Sequence, residues 1–202
     1  MQKILLLDFD NTLFDTRSFI NEIIKQLFNS LRIPQELINK VKDEYVKRLE
    51  KSTDFDPEVF LHLLSKENNI SFQLLKKVFY ESNKCYVDAV YKDVFPFLNS
   101  LESDIILGIY SEGVIPWQQL KLRNCGLVDF FNPKYIFIAR RKTAPNFLEK
   151  LPEGCTVVDD KIEVIAALGK VGNITPVWMN RKTRENFEGI RTIHTLEEIF
   201  NS

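Results

Sequence analysis

The feature that most constrains the fold is a short apolar run that ends in two aspartates. Ile4 to Leu7 precede Asp8 and Asp10, which lie two positions apart. The run is short and lacks polar alternation, which is typical of a strand buried in a parallel sheet. In open α/β sheets, ligands bind at the carboxyl ends of the strands. Two carboxylates this close repel each other unless a cation or a shared proton relieves them, so we expect chemistry at this position.

A second interpretation of this segment is a simple turn. Asp, Asn and Thr side chains bond nearby backbone amides, and residues 8–12 carry Asp-Phe-Asp-Asn-Thr. The choice between a turn and a functional site depends on whether matching residues occur downstream. They do, because polar residues also follow later apolar segments that we interpret as strands.

The rest of the chain divides into a helical block and an alternating region. Residues 16–91 carry apolar residues at helical spacing, and the stripes indicate core packing. Beyond residue 92, predicted strands at 104–111, 135–138, 156–159 and 174–179 alternate with predicted helices at 115–124, 145–151, 161–170 and 196–200. Such alternation predicts an α/β fold with a three-layer, Rossmann-like parallel sheet. We expect a core of residues 1–15 and 92–202, with an all-helical domain of residues 16–91 inserted after the first strand.

Composition excludes several classes of function. The chain of 202 residues has a net charge of −1 and no basic stripe, which argues against a nucleic-acid partner. Its apolar runs are too short to span a membrane, and its N-terminus does not resemble a signal peptide, so we expect no membrane association and a cytoplasmic location. Cys85, Cys125 and Cys155 have no paired close spacing and indicate reduced thiols with no zinc site. His62 and His194 are too far apart in sequence to suggest serine–histidine or cysteine–histidine catalysis.

Three predicted strands end in residues suited to one shared site. Asp8, Ser111 and Asp159 each follow an apolar strand, and a parallel sheet brings such ends to one edge. Aspartates that face each other there need a counterion. Because no His or Cys lies nearby in sequence, the hard oxygen ligands favour Mg²⁺, which commonly pairs with a phosphate.

The loop after the second strand suits the phosphate itself. A hydroxyl and backbone amides at Ser111, Glu112 and Gly113 would receive a phosphate oxygen. Lys142 is the best-placed cation before the next strand. The combination suits attack by a carboxylate on phosphorus, which forms an acyl phosphate that water then cleaves.

These motifs together resemble the haloacid dehalogenase-like (HAD) hydrolase superfamily over nearly the whole chain. Residues 8–15, DFDNTLFD, match the first motif, and residues 110–113, YSEG, look like the second. Residues 142–145, KTAP, lie where the third motif is expected, and residues 157–168, VVDDKIEVIAAL, resemble the acidic fourth motif. The helical insert is similar to the C1-type cap of the family.

The resemblance implies a role for each motif residue. Asp8 is the nucleophile, and Asp10 is the general acid and base; both also ligate the metal, Asp10 through its backbone carbonyl. Thr12 and Ser111 contact phosphate or order the loop. Lys142 pairs with the phosphoryl group and with Asp8.

Two assignments stay open at this point. In the fourth motif we prefer Asp159 as the metal ligand, which places Glu163 at the second acidic position, and Asp160 is the alternative ligand or a helix cap. In the third motif the usual prolines are missing, so Arg140 or Arg141 would replace Lys142 as the cation if the register differs. Glu112 stands where the family often has Asn, and an acid beside phosphate is unfavourable unless it points away.

The resulting functional prediction is a Mg²⁺-dependent phosphatase, a phosphoric monoester hydrolase, acting on a small phosphorylated metabolite through an aspartyl-phosphate intermediate. A phosphomutase or other phosphoryl transferase on the same site is one alternative, and a catalytically degenerate binding protein with this fold is another. A 2-haloacid dehalogenase is disfavoured because its chemistry does not use an acid at position 10. We expect a monomer or a homodimer.

Overall fold

The chain builds one parallel sheet in the computed structural model, which describes residues 3–200. The six strands follow the spatial order β3-β2-β1-β4-β5-β6, and each adjacent pair is parallel. The predicted α/β, Rossmann-like class is confirmed. The strands are β1 (Lys3–Leu7), β2 (Ile105–Glu112), β3 (Ile136–Ala139), β4 (Thr156–Asp159), β5 (Thr175–Met179) and β6 (Thr192–Ile193).

The strand order places the first strand at the centre of the sheet. The direction of winding reverses between β1 and β4, and such a switch point opens a crevice beyond the carboxyl ends of the strands. Leu7 pairs with Ile109 on one side and with Val158 on the other. Asp8 therefore lies level with Asp159, the residue after Val158, at the switch point.

The strand ends are held in place by a core of buried apolar side chains. Leu6 and Leu7 are fully buried on β1. Leu6 packs in a cluster with Tyr110 of β2 and Val157 of β4. Burying a leucine side chain contributes about 1.5–3 kcal/mol, so the central strand is anchored immediately before the two acids.

One compact unit contains the sheet and three α-helices, and its described residues are 3–15, 90–112 and 127–200. The predicted segment at 196–200 forms a 3₁₀ helix over Leu196–Ile199 instead of an α-helix. The strand β6 was not predicted, since a segment of two residues has no readable periodicity. The α-helices of this unit are α6 (Val94–Ser100), α8 (Pro145–Leu148) and α9 (Ile162–Leu168).

The second compact unit is helical and comprises residues 16–89 and 113–126. By contact density, residues 113–126 group with it, whereas the sequence places them with the core; the predicted domain boundaries stay a prediction. The helices of this unit are α1 (Thr16–Leu31), α2 (Gln35–Val46), α3 (Pro57–Asn68), α4 (Phe72–Tyr80), α5 (Asn83–Asp88) and α7 (Ile115–Asn124).

The apolar spacing from Ser71 to about Tyr91 predicts a single helix capped by Ser71, and this prediction is wrong, because the chain forms the separate helices α4 and α5 there. Ser82 lies between them with a non-helical backbone (φ −77°, ψ 53°). Its hydroxyl donates to the carbonyl of Val78. A serine that bonds the backbone in this way competes with continuation of the helix.

Across residues 3–200, none of the helices combines the length and the apolar character that crossing a membrane requires.

Candidate active site

The loop after β1 holds the Asp8 carboxylate in a fixed orientation. Asp8 is 3% exposed; its Oδ1 accepts from Lys142 Nζ at 2.6 Å and its Oδ2 from Thr12 Oγ1 at 3.3 Å. The loop closes on itself, because the Phe9 carbonyl accepts from the backbone amide of Phe14 at 3.0 Å. Asn11 adopts φ +62°, a conformation that Asn tolerates better than most residues. Both oxygens of Asp8 therefore accept hydrogen bonds from protein side chains.

Lys142 is a buried cation shared by two aspartates. It follows β3, is 1% exposed, and its ammonium forms ion pairs with Asp8 and with Asp159. The Tyr110 hydroxyl donates to the Lys142 carbonyl at 2.6 Å, and the ring lies 5.2 Å from the ammonium. The tyrosine thus fixes the lysine from its backbone and from its side chain. The structure brings Lys142 to Asp8, whereas Arg140 is exposed and the Arg141 guanidinium donates to the Arg140 carbonyl.

Asp159 and Asp160 complete a cluster of carboxylates, but their surroundings differ. Carboxylate oxygens of Asp8, Asp159 and Asp160 lie within 4.8 Å of one another. Asp159 is engaged by protein groups: its Oδ1 accepts from the Lys161 amide at 3.0 Å, and its Oδ2 meets Lys142. Asp160 Oδ1 is buried and has no hydrogen-bond partner among residues 3–200. Asp159 Oδ2 also lacks a hydrogen bond by the same criterion, but it is held in the ion pair with Lys142, so Asp160 presents the oxygen that has neither contact.

The remaining predicted acids of the site fall into two groups. Asp10 is half-buried, and its charge contributes to the raised pKa of Asp8. Glu163 is exposed on α9, so the acid at the second position of the preferred register lies on the surface. The N-cap residue of α9 is Lys161, which makes no side-chain cap bond, so Asp160 is not the cap of that helix.

The second predicted motif ends β2. Ser111 is fully buried, and its Oγ has no hydrogen-bond partner within the described part of the chain. Glu112 is 6% exposed and forms an ion pair with Lys161. Gly113 adopts φ +151° and groups with the helical unit. A left-handed φ of this kind suits glycine, and a side chain here would be strained.

Burial and crowding of acids raise the pKa of the aspartates. Burial raises the pKa of Asp8 to about 7, with Lys142 opposing the shift and Asp159 reinforcing it. Burial also raises the pKa of Asp159, again against Lys142. The pKa of Asp160 rises to about 6 through burial and the charge of Asp8. Burial acts to lower the pKa of Lys142, but Asp159 and Asp8 outweigh it and raise that pKa. One ammonium does not balance the negative charge of this cluster.

Three residues that contact the candidate site were not predicted from the sequence. Tyr110 is hidden in an apolar strand, and its bond to Lys142 spans 32 positions of the chain. Lys161 follows the two acids of β4, and a basic residue directly after them is the signal that was available. The third, Arg181, follows β5 and has no motif around it.

Arg181 ties the reactive loop to the rest of its unit. Its Nε donates to the Thr12 carbonyl at 2.8 Å, and its guanidinium pairs with Asp93 at 3.0 Å. The guanidinium also lies 4.1 Å from the centre of the Tyr91 ring. Stacked, hydrogen-bonded arginines of this kind order the groups they contact. The loop of Asp8 and Thr12 is thus supported from outside as well as from within.

The chemistry open to this site follows from its donors. The site combines the buried Asp8 carboxylate, which is paired with Lys142, and further carboxylates within a few ångströms. It also contains the buried Ser111 hydroxyl, which has no hydrogen-bond partner among the described residues. An all-oxygen set of this kind suits a hard divalent cation such as Mg²⁺. A carboxylate held in place beside cations is suited to act as a nucleophile.

Comparison with known proteins identifies the same fold elsewhere. The model of the family described as haloacid dehalogenase-like hydrolase matches residues 5–151. No curated protein sequence matches the chain. Among similar solved structures, YfnB from Bacillus subtilis, assigned as a HAD hydrolase and solved bound to magnesium, is 22% identical with a TM-score of 0.64, covering 98% of this chain and 97% of that one.

Two further structures show how widely this fold is used. A HAD phosphatase from Thermococcus onnurineus is 23% identical with a TM-score of 0.66, covering 98% of this chain and 95% of that one. A 2-haloacid dehalogenase from Pseudomonas syringae pv. Tomato is 17% identical with a TM-score of 0.59, covering 98% and 96%. At these identities the likeness establishes the fold, and the reaction has to be argued from the site.

Replacing the buried lysine should destabilise the fold in a pH-dependent way. In Lys142→Met, Asp8 and Asp159 lose their shared cation, and their folded-state pKa values rise further above the unfolded ones. In the variant, the folded state holds protons that the unfolded state releases. The free energy of unfolding therefore falls as pH rises from the unfolded-state to the folded-state pKa values of Asp8 and Asp159. We expect a loss of about 3–5 kcal/mol at about pH 8 and a smaller loss at about pH 5.

Denaturant unfolding at the two pH values measures this difference. Lys170→Met is the matched control, because Lys170 is exposed on the same unit, and its loss should be small at both pH values. A loss for Lys142→Met that is the same at low and high pH would contradict the role assigned to its charge.

Proposed function

Because the chain belongs to the haloacid dehalogenase-like hydrolase family, we propose that this enzyme is a Mg²⁺-dependent phosphatase acting on a small phosphorylated metabolite. The observation that carries the proposal is the buried Asp8 carboxylate, bound through one oxygen by Lys142 and through the other by Thr12. Such a group is aimed and held in place, which a nucleophile requires. We further propose a cytoplasmic location and a monomeric or homodimeric state.

Asp8 performs the first chemical step. Its carboxylate oxygen forms a bond to phosphorus, and the bond between phosphorus and the ester oxygen breaks. Asp10 donates a proton to the departing alcohol. The product of this step is an acyl phosphate on Asp8, and the alcohol leaves neutral.

Asp10 then serves the second step as a base. It takes a proton from a water molecule as the water oxygen forms a bond to phosphorus. The acyl phosphate bond breaks, inorganic phosphate is released, and the Asp8 carboxylate is restored. Lys142 stabilises negative charge on the phosphoryl oxygens in both steps, and Ser111 donates its hydroxyl to one of them.

The residues present fit Mg²⁺. Asp8 and Asp160 would hold it through carboxylate oxygens, with the Asp10 backbone carbonyl as a further ligand. Asp160 is the better candidate than Asp159, because the structure leaves its buried Oδ1 without a partner while Lys142 and the Lys161 amide engage Asp159. When bound, the ion neutralises the carboxylates and draws electron density from the phosphoryl group.

Phosphate ester hydrolysis is favoured over the other reactions of this fold. A dehalogenase has no use for an acid at position 10, whereas an alcohol leaving from phosphorus needs a proton donor there. A phosphomutase would use the same residues and differ in the acceptor of the phosphoryl group. The helical block of residues 16–91 is the proposed C1-type cap and the proposed source of substrate choice.

Mg²⁺ affinity should rise with pH. Asp8, with a pKa of about 7, and Asp160, with a pKa of about 6, hold protons in acid that the cation must displace. We expect the dissociation constant to fall by about tenfold or more from about pH 5 to about pH 8, with release of protons on binding. Titration calorimetry in two buffers of different ionisation enthalpy measures both quantities. Equal affinity at the two pH values, with no proton release, would show that these carboxylates are not the ligands.

Asp8→Asn should abolish phosphatase activity, because an amide oxygen does not form the acyl phosphate. With para-nitrophenyl phosphate and Mg²⁺, we expect kcat to fall by about 10⁴-fold or more, while the variant stays folded. Asp104→Asn is the control, since Asp104 is exposed at the start of β2, at the opposite edge of the sheet. Full activity in Asp8→Asn would overturn the assignment of the nucleophile. A folded wild-type protein with no turnover would favour the degenerate binding protein.

A further inference from the structure

One ion pair beside the site has no part in the proposed reaction. Lys161 Nζ lies 3.3 Å from Glu112 Oε2; the lysine side chain is 31% exposed and the glutamate side chain 5%. Strong charge-assisted bonds of this type are about 2.7–2.9 Å long, so the contact is loose. An ammonium has three donors, and the Lys161 ammonium makes this single contact among the described residues.

The position of the pair is set by the sheet. Glu112 ends β2 and directly follows Ser111, whereas Lys161 directly follows Asp160 beyond β4. β2 and β4 are the two neighbours of β1. When the strand register is continued by one residue, Asp8 lies level with Tyr110 and with Asp159, so Glu112 and Lys161 both lie two residues beyond the level of Asp8. The ion pair therefore spans the carboxyl end of the strand that carries the proposed nucleophile.

The charge of the site calls for a second cation. Lys142 already serves two buried aspartates, which leaves one of its three donors for a ligand. In the proposed complex, the ammonium groups of Lys142 and Lys161 and one divalent cation would face a phosphoryl dianion and five carboxylates. The carboxylates are contributed by Asp8, Asp10, Glu112, Asp159 and Asp160. A phosphate dianion in such surroundings is repelled unless a further positive group contacts it.

We propose that Lys161 is a second phosphoryl-binding cation and that Glu112 positions it. This inference rests on the proposed function and adds a substrate-binding residue to it. Lys161 donates to a phosphoryl oxygen from the β4 side, while the Ser111 hydroxyl donates from the β2 side. Glu112 holds the flexible lysine side chain across β1 and so lowers the entropy that binding costs. Glu112, the acid that is unfavourable beside a phosphate, thereby supports a cation that binds the phosphate.

The alternative is that Lys161 only neutralises a buried glutamate. A double-mutant cycle separates the two roles, using inorganic phosphate as the probe in saturating Mg²⁺ and titration calorimetry as the readout. The variants are Lys161→Met, Glu112→Gln and the two combined. Lys182→Met is the matched control, because Lys182 is exposed and its charge is near enough to lower the pKa of Asp160. Thermal unfolding of every variant reports whether it folds.

If Lys161 binds the phosphoryl group and Glu112 positions it, Lys161→Met weakens phosphate binding by about tenfold or more with Glu112 present, and by a smaller factor of about threefold in the Glu112→Gln background, where the lysine is no longer positioned. Lys182→Met then changes the affinity much less, and Lys161→Arg retains part of it. If Lys161 only neutralises Glu112, the substitution has no effect once Glu112 is Gln, and that result would overturn the inference. In the Glu112→Gln background, Lys161→Met leaves no buried carboxylate at position 112 without its cation, so this comparison holds even if Lys161→Met alone is unstable.

The same experiment distinguishes failure of the inference from failure of the proposed function. A wild-type protein that binds phosphate and hydrolyses para-nitrophenyl phosphate, with Lys161→Met unchanged in both, refutes only the role of Lys161. A wild-type protein that neither binds phosphate nor turns over the ester refutes both.

Discussion

The Lys142 ammonium between Asp8 and Asp159 is the interaction on which the site depends. All three groups are buried to within a few per cent, and they come from the loop after β1, from the segment after β3 and from β4. Removing charges from water is costly, and a buried pair is retained only where geometry and further hydrogen bonds compensate. Here Thr12 bonds the second oxygen of Asp8, and the Tyr110 hydroxyl bonds the Lys142 carbonyl.

The charges in this interaction are unbalanced, and the proposed reaction depends on that imbalance. One ammonium serves two aspartates, and a third carboxylate, Asp160, lies beside them. Burial leaves the pKa of Asp8 near neutrality, where a carboxylate is only partly charged. A divalent cation on Asp8 and Asp160 would restore the charge that nucleophilic attack needs. The fold thus supplies a cluster of acids that the proposed divalent cation would neutralise.

Much of this architecture was predictable from sequence because it depends on local patterns. The apolar run before Asp8, and the similar runs before Ser111 and Asp159, indicated strands whose ends converge in any parallel sheet. Lys142 was predicted as the cation of the site from a motif, and in the structure its ammonium lies 2.6 Å from Asp8 Oδ1. The preference for Asp159 over Asp160 as metal ligand could not be settled in this way. Adjacent residues at a strand end point in different directions, and their partners are set by other parts of the chain.

The unpredicted features are all long-range or competitive. The bond from Tyr110 to Lys142 and the bond from Arg181 to Thr12 join residues 32 and 169 positions apart. The helix breaks at Ser82 because the serine hydroxyl donates to the Val78 carbonyl, and this bond competes with continuation of the helix. The apolar spacing nevertheless extends through the break. The partner of Glu112 was also unpredictable, since Lys161 lies 49 positions away.

The central claim is that Asp8 carries the phosphoryl group during turnover. The direct test is rapid acid quenching of the enzyme with Mg²⁺ and para-nitrophenyl phosphate, followed by mass spectrometry of the peptide that contains residues 8–12. We expect a phosphoryl group on the Asp8 carboxylate, formed during turnover and lost on treatment with hydroxylamine. Hydrolysis of the ester with Asp8 unmodified at every quench time would contradict it.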